Sequence, residues 1–275
     1  MTKTGTILSQ VLDALKIPYS LVDADESVIA FKPPGTTTVR YVINTIMGVN
    51  SESDTRLCSD KAYTYDLIKD VVAMPETRRY LDPDGRYPDY HAFESQAEII
   101  ADIRQTFREM PLIIKKNRGS MGNGVYLCQN WEEVTAAVAA TFRKDFAGYD
   151  YLCIAQTALS IQTEWRVIMY KGKLQFMYEK DIQAAQFTGN LSPLHWENST
   201  AKIETDVALQ AEIQAFLDPF FTVWQLPYGG FDVVRDTNGK LWQIEVNSHP
   251  AFSIFLRDND PEPLRQLFRT LVKDM

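Results

Sequence analysis

Near the C-terminal end of the chain, Asp232, Glu245 and Asn247 are three oxygen-bearing side chains placed where one hairpin would bring them together. Between them lies Asn238-Gly239, a type I′ turn signal joining two alternating runs, Phe231-Asp232-Val233-Val234 and Leu241 to Asn247. With Asn238 and Gly239 as the two turn residues, Thr237 faces Lys240 and Asp232 faces Glu245. Alternation then predicts a core face of Phe231, Val233, Trp242, Ile244 and Val246, and an opposite face of Asp232, Val234, Gln243, Glu245 and Asn247. Directly opposed carboxylates lie about 5 Å apart, and their repulsion at an effective dielectric near 20 is roughly 3 kcal/mol. A shared proton, a nearby Arg or Lys, or a metal ion would offset it. Two carboxylates and an amide oxygen suit a hard cation, Mg²⁺ or Mn²⁺, that keeps other positions for water and phosphate. The bland alternative is a solvated strand face.

A second constellation starts at residue 111. Pro111 to Lys116 has the pattern of a strand, Asn117-Arg118-Gly119-Ser120-Met121-Gly122-Asn123-Gly124 of a loop, and Val125 to Cys128 of another strand. The loop lacks the Gly-Lys-Ser/Thr ending of a P-loop and feeds a strand rather than a helix, which excludes the Walker and Rossmann geometries. A strand-to-strand glycine loop can fold over phosphates, offering backbone N–H groups and the Ser120 hydroxyl. Successive residues on a strand face opposite ways, so one of Lys115 and Lys116 is expected to face inward beneath this loop.

The elements that must position these groups follow from periodicity. Helices are expected over Thr6 to Lys16, Lys61 to Val72 (capped by Ser59 or Asp60), Glu94 to Met110, Trp131 to Phe146 (capped by Asn130 with Glu133), Asp206 to Phe216 and Pro261 to Lys273. Further strands are expected at Tyr19 to Val22, Val28 to Phe31, Val39 to Ile43, Tyr151 to Ala155, Trp165 to Tyr170 and Leu174 to Glu179. No internal repeat is visible.

The bulk numbers bound the answer. At 275 residues the chain suits one large domain or two small lobes, and 45% hydrophobic with 23% charged residues is ordinary globular composition. A net charge of -8 argues against a nonspecific nucleic-acid binder. Three scattered cysteines, Cys58, Cys128 and Cys153, form no Cys-x-x-Cys pair and support neither a disulfide framework nor a zinc site. No apolar leader follows Met1, and no stretch approaches about 20 apolar residues. A cytoplasmic protein that engages neither nucleic acid nor membrane is expected.

The order of these segments resembles the ATP-grasp superfamily over roughly Ser59 to Phe255, in particular the carboxylate-amine ligases such as alpha-L-glutamate ligases, D-alanine-D-alanine ligases, glutathione synthetases and cyanophycin synthetases. The resemblance implies an α/β (α+β) class, with two α+β lobes gripping the nucleotide and a short α/β lobe before them. The expected divisions are 1–58, 59–155 with the glycine-rich lid, and 156–275 with the metal site. It implies that Lys61, in Ser59-Asp60-Lys61, and Lys115 reach the nucleotide phosphates beneath a lid containing Gly119, Ser120, Met121 and Gly122. Ile154-Ala155-Gln156-Thr157-Ala158-Leu159 matches the adenine hinge, making Gln156, Thr157 and Leu159 nucleotide contacts, although the family's usual Glu after the Gln is missing.

In Glu164-Trp165-Arg166 the same resemblance gives Glu164 to the ribose and Arg166 to the reacting acyl phosphate. Lys180 matches a phosphate-binding base, and Asn190, in Phe187-Thr188-Gly189-Asn190-Leu191, a phosphate or metal contact. Asp232, Glu245 and Asn247 match the metal pattern, while Asn247-Ser248-His249-Pro250-Ala251 lacks the glycine that usually follows this proline. His249, Arg78 and Arg79 are weaker candidates for holding a substrate.

The implied activity is an ADP-forming ligase that makes an amide or peptide bond through an acyl phosphate, using ATP with Mg²⁺ or Mn²⁺. Its partners would be a small-molecule carboxylate donor and an amine acceptor, an amino acid or peptide. A homo-oligomer is left open. Two other readings stay beside it: a small-molecule kinase on the same scaffold, and a nucleotide-binding module without turnover.

Overall fold

Thr2 accepts a hydrogen bond from the Gly5 N–H and starts helix α1 (Lys3–Ala14), which buries Ile7, Leu8, Val11 and Leu12. The structure, a computed structural model, describes residues 1–86, 88–145 and 148–275. After α1 come β1 (Tyr19–Leu21), β2 (Val28–Phe31) and β3 (Arg40–Ile43), an antiparallel sheet in that order. Ile29, Phe31 and Val42 on its inner face join α1 in a core shared with the end of the chain.

Helix α2 (Glu52–Ser59) is absent from the sequence expectations. Its signal is a capping box of Ser51 with Asp54, and because Cys58 is its one buried residue it carries no apolar period. Next come α3 (Lys61–Ile68), β4 (Thr77–Leu81), α4 (Gln96–Thr106), β5 (Leu112–Lys116), β6 (Val125–Cys128), α5 (Trp131–Thr141) and β7 (Leu152–Thr157). The predicted end of α5, Phe146, lies outside the described residues. The four strands pair antiparallel in the order β4-β7-β5-β6. Ile99 and Ile103 of α4, with Val134 and Val138 of α5, pack against Leu112, Ile114 and Cys153 of this sheet.

The remaining elements are β8 (Ile161–Tyr170), β9 (Lys173–Asp181), β10 (Thr200–Ile203), α6 (Val207–Leu217), α7 (Phe220–Val223), β11 (Tyr228–Asp236), β12 (Leu241–Asn247), α8 (Phe255–Asp258) and α9 (Glu262–Asp274). Their antiparallel sheet has the order β10-β9-β8-β11-β12. One face, with Val167, Met169, Met177, Phe231 and Val233, packs against α6 and α7. The other buries Ile168, Phe176 and Tyr178 beneath Phe252, Phe255 and the apolar side of α9. The class is thus α+β with three antiparallel sheets. Strands β4 and β10 escape sequence reading because each is short, and β4 reads Thr-Arg-Arg-Tyr-Leu with one fully buried residue. Among the described residues no helix is long and apolar enough to cross a membrane.

The β11–β12 hairpin corrects the expected register in two places. Its loop is Thr237-Asn238-Gly239, with Asp236 N–H donating to the Lys240 carbonyl (2.9 Å) and Gly239 N–H to that of Asp236 (2.9 Å). Pairing then runs Arg235 to Leu241, Val234 to Trp242 and Val233 to Gln243 until a bulge shifts it by one, so that Asp232 does face Glu245. The three-residue loop and the bulge cancel, which is why a two-residue turn predicts the right pair. They do not cancel for the faces: Gln243 is fully buried opposite Val233, while Trp242 donates to Asp236 (2.9 Å) and Ile244 lines a cleft, so neither belongs to the core face.

Gly230 in β11 lies under Arg166 and Pro250. A Cβ there would come within 2.8 Å of the Pro250 Cβ and 3.1 Å of the Arg166 Cδ. Gly230→Ala is therefore expected to lower unfolding free energy by about 1–3 kcal/mol, the usual cost of overpacking, read from urea denaturation; an unchanged midpoint would contradict the close approach.

Candidate functional site

The cleft between the four- and five-stranded sheets has a volume of about 840 Å³. Helix α3 enters it amino end first. Asp60 caps the helix by accepting from the Tyr63 N–H (3.0 Å), and the buried Asn117 Oδ1 accepts from the Ala62 N–H (2.9 Å), which ties this end to the exit of β5. Lys61 is thereby held over the cleft, where its Nζ donates to the Gly119 carbonyl (2.9 Å) and pairs with Glu245 (3.2 Å).

Lys115, on β5, is buried and donates to Gln156 Oε1 (2.9 Å), whose amide in turn donates to Thr77 Oγ1 (2.7 Å). Burial, helped by repulsion from Lys61 and partly offset by Glu245, pushes the Lys115 ammonium down to about 8. Lys116, expected to be the outward neighbour, instead runs its stem along Gly119 and Gly124, so that a Cβ on Gly119 would fall 2.4 Å from the Lys116 Cε. Both lysines line the cleft.

The glycine loop turns at Met121 and Gly122, with φ of 58° and 71°. Asn190 does not line the cleft floor; it latches the loop, donating to the Met121 carbonyl (2.8 Å) while its Oδ1 accepts from the Ser192 N–H (2.8 Å). A side chain at Gly122 would meet Asn190 Oδ1 at 2.0 Å, so glycine is required for this closure. Ser120, Met121, Gln156, Thr157 and Leu159 line the same cleft.

On the floor, adjacent strands β8, β9 and β11 place four charges together. Arg166 holds Asp232 with Nε (2.6 Å) and Nη2 (3.1 Å), and Lys180 pairs with Asp232 (3.1 Å) and with Glu164 at shorter range. Burial would raise the Asp232 carboxyl, but Arg166 and Lys180 outweigh it and hold the group below the usual carboxylate range. Burial likewise depresses Lys180 less than Asp232 and Glu164 raise it. Glu164 has only the lysine that Asp232 shares, and burial pushes it up. The acid expected at the ribose is thus committed to Lys180.

The repulsion expected between Asp232 and Glu245 is offset by side chains, Arg166 and Lys180 on one carboxylate and Lys61 on the other. Among the described residues no three His, Cys, Asp or Glu side chains form a metal cage. The donor set nonetheless fits a hard divalent ion that keeps most of its positions for phosphate and water. Glu245 is a quarter exposed, and the Asn247 amide is buried in the cleft wall with its Nδ2 unpartnered, so its orientation is not fixed by the protein. Both oxygens of Asp232 are already engaged.

Across the cleft lining, Lys61, Lys115, Lys116, Arg118, Arg166 and Lys180 face Glu164, Asp232 and Glu245, an excess of three positive charges in a partly enclosed space. That arrangement attracts a polyphosphate.

Arg78 and Arg79 stand apart from the cleft, pairing with Asp102 (3.7 Å) and Asp66 (2.6 Å). His249 lines it, with Nδ1 2.7 Å from the Ser248 Oγ. Sequence reasoning misses Tyr178, which pairs with Arg166 and lines the cleft, because its strand neighbours mark it only as core. It also misses Asn50, whose amide donates to the carbonyls of Tyr228 (2.8 Å) and Ser248 (2.9 Å) and accepts from the Tyr228 N–H (3.0 Å). A lone loop asparagine gives no sequence signal for contacts 178 and 198 residues away.

A model for the RimK-like ATP-grasp domain matches residues 89–268. No curated protein matches in sequence. Among solved structures, the D-cycloserine synthetase DcsG is similar with a TM-score of 0.56 at 18% identity, over 80% of this chain and 70% of that one. The D-alanine-D-alanine ligase from Coxiella burnetii gives 0.57 at 14%, over 82% and 60%. The D-alanine-D-alanine ligase from Bacillus anthracis complexed with ATP gives 0.53 at 13%, over 81% and 65%. At such identities the likeness is one of fold: the α+β arrangement of three antiparallel sheets is the ATP-grasp fold. The chain spans 60% to 70% of the length of these structures.

Lys115 supplies a pH-dependent test of the ligand-free site. Between its folded value of about 8 and the ordinary 10.5, the unfolded chain binds more protons than the folded one, so stability rises with pH across that window. The destabilisation is fully present below pH 8. Lys115→Met, which keeps the apolar stem but strands Gln156, is expected to be more stable than the parent by about 2 kcal/mol at pH 7. The difference should shrink toward pH 10.5 in urea titrations; a difference independent of pH would contradict a buried ammonium.

Proposed function

We propose that this chain, which belongs to the RimK-like ATP-grasp family of ATP-dependent ligases, joins a carboxylate to an amine in an amide or peptide bond, forming ADP and phosphate. The observation that carries this reading is the meeting, in one cleft, of the Glu164–Lys180–Asp232–Arg166 cluster with Lys61, Lys115 and the glycine loop.

In the proposed reaction a carboxylate oxygen of the donor attacks the γ-phosphorus of ATP, and the bond to the β–γ bridging oxygen breaks. The donor becomes an acyl phosphate. The acceptor nitrogen then attacks its carbonyl carbon, inorganic phosphate leaves, and the nitrogen loses a proton. No side chain forms a covalent bond, so the protein's task is positioning and stabilising spreading negative charge.

Lys61 and Lys115 serve the β- and γ-phosphates from the small-sheet side, and Lys180 serves them from the floor. Arg166 uses Nε and Nη2 on Asp232, and the two N–H groups of its Nη1 stabilise the oxyanion that develops as nitrogen adds. The glycine loop, latched by Asn190, excludes water that would hydrolyse the acyl phosphate. Gln156, Thr157 and Leu159 frame the base. Glu245 and Asn247, joined by Asp232 through its Oδ2, which accepts from Arg166 alone, would hold Mg²⁺ or Mn²⁺, which supplies charge neutralisation when bound.

With ATP, Mg²⁺ and pools of amino acids and dipeptides, the protein is expected to release phosphate and form products whose mass is the sum of two substrates less water. Products heavier by a phosphoryl group would instead indicate a kinase. Glu245→Ala is expected to reduce phosphate release by about 100-fold or more, with unfolding free energy within about 1 kcal/mol of the parent, since the Lys61 pair it loses is partly solvated. Parental turnover in that variant would refute its role.

A further inference from the structure

Lys61 pairs with Glu245 and Lys180 with Glu164 and Asp232, whereas the buried Lys115 donates to a neutral amide, Gln156 Oε1 at 2.9 Å. Its aim therefore depends on how that amide is held. Gln156 Nε2 donates to Thr77 Oγ1 (2.7 Å), and the Thr77 hydroxyl donates to the Pro75 carbonyl (2.8 Å). One side chain from each of the neighbouring strands β5, β7 and β4 thus joins a single line of hydrogen bonds, with Gln156 directly opposite Thr77.

The chemistry of the two ends fixes the polarity of this line. A backbone carbonyl can only accept, so the Thr77 proton is committed to Pro75 and the Thr77 oxygen is left to accept; at the other end an ammonium can only donate. The Gln156 amide then has one orientation, nitrogen toward Thr77 and oxygen toward Lys115. Reversed, it would set N–H donors against an ammonium and its carbonyl against an oxygen with no proton left to give. The Pro75 end is anchored to both walls. The Ala73 carbonyl accepts from the Gln243 N–H of β12 (2.9 Å), and the Glu76 carbonyl from the Thr157 N–H of β7 (3.0 Å). Pro75, Lys115 and Gln156 line the cleft, and Thr77 lies outside its lining.

We propose, building on the nucleotide site of the ligase reading, that Thr77 is a positioning residue for the phosphate contact of Lys115, acting through Gln156 without touching the ligand. One of the three ammonium N–H groups is committed to Gln156, which leaves two for phosphate oxygens. Lys61 and Lys180 share their charge with carboxylates. A line that ends on backbone instead holds Lys115 in place with a neutral group, so its charge is left for the ligand.

Calorimetric titration with Mg²⁺ and a non-hydrolysable ATP analogue tests the role in binding. Thr77→Val, which keeps the shape but removes the hydroxyl, is expected to weaken binding about 10-fold or more, the size of one hydrogen bond to a charged group. Thr77→Ser, which keeps the hydroxyl, should stay within about 3-fold of the parent, and Thr77→Val made on Lys115→Met should change affinity less than about 2-fold, because the group it aims is gone. An equal Thr77→Val effect with and without Lys115, or a Thr77→Ser variant as weak as Thr77→Val, would overturn the positioning role. A second measurement needs no nucleotide: NMR titration of the lysine side-chain signal that disappears in Lys115→Met. Lys61 and Glu245 are the charged groups that face this ammonium, and the variants keep both. Loss of a fixed acceptor disfavours the charged form, so the midpoint is expected to fall in Thr77→Val and to return in Thr77→Ser; an unmoved midpoint would overturn the relay. A parent that binds no analogue while the midpoint moves as expected would sink the nucleotide reading alone and leave the aiming of Lys115 by Thr77 standing.

Discussion

Four charged side chains sit together on one face of three neighbouring strands, Lys180 and Asp232 buried and Glu164 and Arg166 half-buried beside them, and they can be withdrawn from water only together. Removing one member of such a cluster typically costs 3–5 kcal/mol because a partner charge is left uncompensated. The constraint propagates outward. Gly230 has no side chain so that Arg166 and Pro250 can lie across it, and the lower part of the same face is sealed by Phe252 and Phe255. A rigid, dry floor results, with its charges already balanced. Lys61, Lys115, Lys116, Arg118 and Glu245 then tip the whole cleft to an excess of three positive charges, which a polyphosphate with its counterion can use.

The opposite wall is assembled by different means. Asp60 caps α3, Asn117 ties the same helix end to β5, and Gln156 links Lys115 to Thr77 across β7. The two walls share no strand. At the cleft mouth Lys61 reaches Glu245 and Asn190 reaches the glycine loop, bridges that are partly solvated and weak individually. Deeper, Cys58, Ile68 and Val72 pack in one core with Val167, Phe231 and Val246, and the Gln243 N–H donates to the Ala73 carbonyl (2.9 Å), so α3 is anchored to the five-stranded sheet.

Much of this was legible in the sequence because it rests on local rules. The glycine loop between two strands, the Asn130 cap with Glu133 and the oxygen-bearing β11–β12 hairpin each follow from residue types at fixed spacing. The Asp232–Glu245 pairing came out right through two departures that cancel, an extra loop residue and a bulge, and the faces of Trp242, Gln243 and Ile244 show the error that remains. What stayed hidden depends on contacts distant in the chain. Asn50 binding Tyr228 and Ser248, Glu164 turning to Lys180 instead of outward, and the offset of carboxylate repulsion by cations from two other strands and a helix have no short-range signature.

The central claim is that this cleft, with its positive excess, is a site for ATP completed by a divalent ion. Isothermal titration of the folded protein with ATP, with and without Mg²⁺, tests it most directly. The account predicts saturable one-to-one binding that strengthens at least 10-fold when Mg²⁺ is present. Absence of ATP binding in both conditions, or affinity indifferent to the ion, would contradict it.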